Sequence, residues 1–271
     1  MKVHFWGVRG SVPCASLSHM KYGGNTACVA VEHQNETIIL DAGTGIVPLG
    51  KQIARKKISS ATLLLSHAHL DHIFGLPFFA PAWMPDFSLK IMAGNLSKLS
   101  GGIRGVFDTV YSEPAFPVPV GAMRGVHSFT DFTAGASFQA GVFGVRPMPL
   151  NPPNGATAYR IEVNNKSLCY VTDVEHEVGK VDESIVEFIR GTDLFIYDTT
   201  YTEAEYLSKV GWGHSTWQHG IKLGMMGNVK RYALFHHEPD RTDEMMALVE
   251  EEAKREWNLA FAAREGMEIE L

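Results

Sequence analysis

The stretch LLLSHAHLDHIFG, residues 63–75, places His67, His69, Asp71 and His72 directly behind an apolar run. Imidazoles and carboxylates are seldom buried without partners, so crowding them onto the lip of a buried strand calls for a chemical reason. In extended chain, His67 and His69 point to the same side. If DHIFGLPFF begins a helical turn, Asp71 and His72 swing back toward that pair. Two imidazoles, a carboxylate and a third imidazole at a strand-to-helix corner make a site for a borderline divalent ion such as zinc. The competing reading is a polar loop that happens to be rich in histidine, and the spacing is more specific than that.

Other ionisable residues fall at the ends of apolar runs. IILDAGTG carries Asp41, CYVTDVE carries Asp173, LFIYDTT carries Asp198, and YALFHHEP carries His236 and His237. Any one of these is explained as a helix cap or a satisfied turn residue. Four such ends, added to the histidine cluster, point to one shared site along a sheet edge. The GTG at 43–45 is too short a signal for a nucleotide-binding loop, and GHST, residues 213–216, is not a G-x-S-x-G nucleophile elbow.

The elements that must carry these groups read as two strand-rich halves. Strands are expected at KVHFW, ACVAVEH, ETIILD and ATLLLS, and again at TAYRIEV, SLCYVTD, DLFIYD and RYALFHH. Helices are expected near GIVPLGKQIARKK and near 181–190, 215–227 and 241–257, the last capped by Asp240 or Thr242. The Gly- and Pro-rich segment from about 94 to 125 reads as a surface excursion or lid. Two halves of this kind suggest a sandwich of two sheets covered outside by helices. No linker separates them, so residues 1–271 read as one domain.

Composition sets limits on function. The 271 residues are 45% hydrophobic, enough for a large core, and the net charge of -6 gives no general attraction to a polyanion. The start, MKVHFWGVRG, has no signal-peptide core and no run approaches membrane-spanning length. Cys14, Cys28 and Cys169 are scattered and without a CxxC pair, which suits free thiols in a reducing, cytoplasmic setting. Twelve histidines against three cysteines mean that a metal here would take imidazole and carboxylate ligands.

The HxHxDH cluster at 67–72, with Asp41 before it and Asp173 and His236 after it, resembles the metallo-β-lactamase superfamily, whose fold is an αββα sandwich of two mixed sheets flanked by helices. FWGVRGSVP…YGGNTACV, YDTTY and WGHSTWQHGIKLG are similar to the ribonuclease Z-like phosphodiesterase branch, and LFHHEPDRTDEMM to small bacterial and phage cyclic-nucleotide phosphodiesterases. The resemblance implies two divalent ions, zinc first, with manganese or iron as alternatives. His67 and His69 would bind the first ion, Asp71, His72 and His236 the second, and Asp173 would bridge them. Asp41 would orient the cluster without binding metal, and His214 would assist the reaction, held by an acid such as Asp198. His237 and Arg9 are carried along as contacts to the substrate phosphate, each with a plain packing role as the alternative.

One ligand of that pattern is missing. Where the branch carries a histidine before a GYRI-like strand, this chain reads LNPPNGATAYR, and Pro152 stands in its place. Proline offers no side-chain donor, so the first site is expected to be weakened, with His176 as a candidate substitute. The function expected is hydrolysis of cyclic nucleotides or other small phosphodiesters, with Asp71 and His214 taking part in catalysis. A tRNA 3′-end endonuclease is the main alternative, opposed by the short interval from Asp173 to Asp198 and its lack of a basic arm. A non-catalytic, metal-poor relative is a third reading, and an acyl hydrolase would leave the GHST histidine unexplained. No membrane partner is expected; a homodimer stays open.

Overall fold

The computed structural model describes residues 1–96, 101–150 and 155–271. The first sheet opens with an antiparallel ladder of β1 (Lys2–Gly7), β2 (Cys28–His33) and β3 (Glu36–Leu40). Helix α1 (Ile46–Lys56) then returns the chain to β4 (Ser60–Leu65), parallel to β3. The short helix α2 (Leu70–Ile73) precedes β5 (Ser88–Ala93), and α3 (Gly102–Val110) leads to β6 (Val126–Asp131), both strands again parallel.

The second sheet repeats the plan. An antiparallel run of β7 (Phe138–Ala140), β8 (Phe143–Pro149), β9 (Thr157–Val163) and β10 (Lys166–Val171) comes first. Crossovers follow, through α4 (Glu183–Ile189) to β11 (Leu194–Asp198), then through α5 (Glu203–Tyr206) and α6 (Trp217–Met226) to β12 (Tyr232–Phe235). Helix α7 (Asp243–Glu256) connects to β13 (Ala260–Ala262), and β14 (Glu268–Glu270) closes against β1 in the first sheet. The orders are β14-β1-β2-β3-β4-β5-β6 and β13-β12-β11-β10-β9-β8-β7.

The near-continuous apolar strands have a direct physical reading. A strand buried on both faces cannot alternate apolar with polar, so it alternates between two cores instead. Leu64 of β4 joins Phe5, Ile161 and Ile196 between the sheets, while its neighbours Leu63 and Leu65 pack outward on Ile46, Leu49 and Ile53 of α1. On β11, Leu194 and Ile196 face the inner core and Phe195 and Tyr197 face Ile185, Ile189 and Ile221 beneath α4 and α6. Three apolar layers between four structural layers give the αββα sandwich that the resemblance implied.

Local stops fit the sequence. Thr242 caps α7 by accepting the Met245 N–H, and Asp182 caps α4 by accepting from Ser184 and Ile185. Gly43 has a packing role: a Cβ there would sit 2.2 Å from the Asp71 carbonyl oxygen, so glycine lets the turn after β3 touch the histidine-bearing corner. The segment from 94 to 125 departs from expectation in part. Its described part includes α3, whose Ile103 and Phe107 are buried with Tyr111, Val120 and Met123, and the Tyr111 hydroxyl donates to the Ile73 carbonyl. These residues are core packing, whereas residues 112–119 between them are exposed or half-buried, a surface excursion as expected. No helix among the described residues is long and apolar enough to cross a membrane.

Candidate metal centre

Strand ends deliver the site. The chain leaves β4 at Ser66 and His67, stays extended to His69, and turns into α2 with His69 as the residue before its first turn. That turn brings Asp71 and His72 back over the first pair: the His67 ring lies 4.3 Å from that of His69 and 4.2 Å from that of His72. Asp41 follows β3, Asp173 follows β10 and His236 follows β12, and all three take left-handed backbone with φ of 62°, 54° and 61°. Such torsions cost a residue with a side chain about 1 kcal/mol or more each, and three meeting where the two sheets present their strand ends is a mark of a functional site.

The carboxylate of Asp173 divides the cluster. Its Oδ1 lies 3.6 Å from His67 Nε2, while its Oδ2 lies 3.1 Å from His72 Nε2 and 3.4 Å from His236 Nε2. Asp71 Oδ2 completes the second group, 3.2 Å from His72 Nε2 and 3.3 Å from His236 Nε2. Donor atoms within 4.8 Å of one another form three sets that all include Asp173: His67, His69 and Asp173; Asp71, His72, Asp173 and His236; and Asp173, Asp198, His214 and His236. The first two are built on the histidine-rich corner after β4.

The outer nitrogens of these rings are anchored. His72 Nδ1 donates to Asp41 Oδ2 at 2.7 Å, and the same oxygen accepts from Ser66 Oγ at 2.8 Å and the Tyr170 hydroxyl at 2.7 Å. His67 Nδ1 lies 3.0 Å from Ser66 Oγ, and His236 Nδ1 lies 3.1 Å from Thr200 Oγ1. His214 Nδ1 is 2.9 Å from Asp198 Oδ2, and the side chain opens on a cleft of about 430 Å³ lined also by Ser11, His69, Leu70, Asp71 and Asp173. A larger cavity, about 910 Å³, includes His176 and His219 in its lining and shares no lining residue with this cleft.

Charge is shared unevenly across the cluster. Burial alone would raise the Asp173 and Asp71 carboxyls, but the facing imidazoles outweigh it and hold both well below the usual range. Burial, reinforced by His72, lowers His67 to about 4, so that ring is neutral at neutral pH and keeps a lone pair to offer. Burial also opposes charge on His214, yet Asp198 in particular pushes it up to about 9.

A model of the beta-lactamase superfamily domain matches residues 36–237. The chain belongs to that superfamily. Among curated proteins, ribonuclease Z of Thermoplasma acidophilum is 30% identical over 90 residues, a match spanning 33% of this chain and 28% of that protein. The metallo-β-lactamase fold protein YhfI from Bacillus subtilis superposes with a TM-score of 0.74 at 17% identity, over 99% of both chains. A diphosphatase of the PhnP family gives 0.69 at 16% identity, over 100% of this chain and 97% of the other. These similarities lie toward the ribonuclease Z-like branch, and those to the two solved structures are similarities of fold.

The superfamily fold implies divalent metal, and the residues of this chain fit it. His67 Nε2 is buried with no hydrogen-bond partner among the described residues. His72 Nε2 and His236 Nε2 converge to 3.3 Å with two carboxylates beside them, an arrangement that a cation satisfies better than a shared proton. Imidazole with carboxylate suits zinc, manganese or iron, and the donor set does not choose between them.

Two expected substrate contacts are corrected by the structure. Arg9 is fully buried, and its guanidinium donates to the carbonyls of Gly23, Glu238 and Arg241 at 3.0–3.2 Å. His237 is buried, donates from Nε2 to the Ala263 carbonyl at 2.8 Å, and is held neutral by burial, with its pKa lowered to about 3. Neither lines the cleft. His176 is no substitute ligand either: its Nδ1 lies 2.7 Å from Ser215 Oγ and its ring is stacked on Tyr206 and His219. Pro152 lies outside the described residues.

Sequence reasoning missed the anchors. Ser66 sits beside His67 in sequence, whereas Tyr170 lies inside an apolar strand run that gives no sign of a contact to Asp41. Ser11, whose N–H donates to Asp71 Oδ2 at 2.8 Å, had no signal beyond its glycine-rich surroundings.

Proposed function

We propose that this chain is a metal-dependent hydrolase of small phosphodiesters, cyclic nucleotides among them. The observation that carries the reading is the His214–Asp198 pair at 2.9 Å, opening on the same cleft as His69, Asp71 and Asp173. Divalent ions held by the two donor sets supply Lewis-acid polarisation of a phosphoryl oxygen and a lowered pKa for water. The chain's own groups do the rest. Asp198 fixes the His214 tautomer, so that Nδ1–H points at the carboxylate and Nε2 is left for the substrate. As water adds to phosphorus and the P–O bond to the leaving group breaks, His214 gives its proton to the departing oxygen. Asp71 is anchored by the Ser11 N–H and orients one edge of the cleft.

A second reading, a tRNA 3′-end nuclease, draws on the similarity to ribonuclease Z. The interval between Asp173 and Asp198 argues against a polyanion there, since its sequence carries Glu175, Glu177, Asp182, Glu183, Glu187 and Asp193 against two bases of its own, Lys180 and Arg190. The test is a screen of metal-replete protein against bis(p-nitrophenyl) phosphate, cyclic nucleotides and a precursor tRNA. Cleavage of the small diesters, lost on chelation, is expected. Trimming of the tRNA with no turnover of small diesters would replace this proposal with the second reading.

A further inference from the structure

The loop after β10 does more than present Asp173. Glu175 Oε2 accepts the Gly211 N–H at 2.7 Å and the Gly213 N–H at 2.9 Å. The next residue, His176, has its Nδ1 2.7 Å from Ser215 Oγ, which also receives the Tyr197 hydroxyl at 3.0 Å. Two successive side chains of one loop therefore hold the chain on both sides of His214.

His176 is itself immobilised. Its ring is sandwiched between Tyr206 at 4.1 Å and His219 at 3.9 Å, with interplanar angles of 9° and 8°. Its carbonyl accepts the Tyr206 hydroxyl. Rotating the imidazole would break both stacks and the contact to Ser215. On the other side, Gly211 and Gly213 have φ of 90° and 85°, so glycine is what lets both N–H groups meet one oxygen.

After His214 the chain is tied down, with Ser215 and Thr216 buried and the Ser215 carbonyl accepting the Tyr201 N–H at 3.0 Å; the approach before it is less anchored. Leu207, Val210 and Trp212 are 72%, 52% and 62% exposed, so apolar packing does not anchor the approach to His214. Polar contacts must then set where its imidazole stands. We infer that Glu175 and His176 form a clamp that positions His214 relative to Asp173. This rests on the proposed reaction, in which His214 protonates the leaving oxygen. Both are positioning residues, since neither lines the cleft.

The test uses Glu175→Ala and His176→Ala, with Glu175→Gln as the conservative variant that keeps an oxygen acceptor. Each metal-replete protein is assayed on a 3′,5′-cyclic nucleotide, whose alkoxide needs a proton to depart, and on bis(p-nitrophenyl) phosphate, whose leaving group does not. The alanine variants are expected to lose about 10- to 100-fold in kcat on the cyclic nucleotide, with KM and the aryl substrate little changed. Glu175→Gln should recover most of the loss. In the metal-free protein, hydrogen exchange at Gly211 and Gly213 should quicken in Glu175→Ala. Equal losses on both substrates, or unchanged exchange, would overturn the clamp. A parent protein that cleaves neither diester would overturn the proposed function instead, and the exchange measurement would still decide whether the clamp exists.

Discussion

His214 Nδ1 and Asp198 Oδ2 stand 2.9 Å apart, and the same carboxylate oxygen accepts the Asp173 backbone N–H at 3.0 Å. One buried acid thus ties a proton donor to the residue shared by both donor sets. Asp198 Oδ1 is also occupied, by the Thr200 hydroxyl at 2.8 Å, so the carboxylate has little freedom to turn.

Replacing His214 with alanine should separate chemistry from metal binding. Turnover is expected to fall about 10²–10⁴-fold, the usual contribution of a positioned acid, with bound metal unchanged. Kinetics paired with metal analysis of the same preparation would check this. Loss of metal in step with activity would make His214 a ligand.

Removing Asp71 or His72 should abolish turnover, because each belongs to the four-donor set. The two variants should differ in stability. Asp71 is near the surface of the cleft, whereas loss of the His72 ring leaves the buried Asp41 carboxylate short of a charge-assisted partner and should cost about 1–3 kcal/mol. Thermal melts of both, compared at equal metal content, measure the difference.

Metal binding should be unequal. The set of Asp71, His72, Asp173 and His236 offers four protein donors, and that of His67, His69 and Asp173 offers three among the described residues. Calorimetric titration of metal-free protein is expected to resolve a tight and a weaker event. Pro152→His should strengthen the weaker one if that position supplies the missing ligand. Two equally tight events in the parent protein would contradict the unequal assignment.

Acid should weaken the attachment of α7. Burial alone would raise the Glu250 carboxyl, but Lys254, the Tyr22 hydroxyl and Arg264 outweigh it and lower it to about 2. A depressed folded-state pKa stabilises above the unfolded value of 4.5, and that stabilisation is lost as pH falls from there toward about 2. Glu250→Gln should therefore cost about 2 kcal/mol at pH 7 and progressively less below pH 4. Melting temperatures of the two proteins should converge in acid.

Much of this centre was legible before any coordinates. The i, i+2 spacing of His67 and His69 and the acid or histidine closing each apolar run are local features, governed by strand periodicity. Strand ends that share a sheet lie along one edge, so Asp173, Asp198 and His236 of the second sheet were readable as neighbours, whereas Asp41 joins them from the first sheet. Arg9 and His237 were not. Their burial follows from the segment after β1 meeting the segment after β12, where Arg9 bridges both Thr26 and His237. That contact joins residues more than two hundred positions apart, and local spacing carries no trace of it.

By itself, the amino-acid sequence determined the imidazole and carboxylate chemistry and the two-sheet plan, because both depend on residue type and short-range periodicity, while the candidacy of His214 came from the resemblance of its GHST stretch. Only the tertiary structure decided which charged groups reach the cleft, that Asp173 divides its two oxygens between the donor sets, and that Glu175 and His176 grip the chain around His214. Those outcomes depend on how loops from separate strands meet at one edge. The meeting is set by the packing of three apolar layers and not by any segment alone.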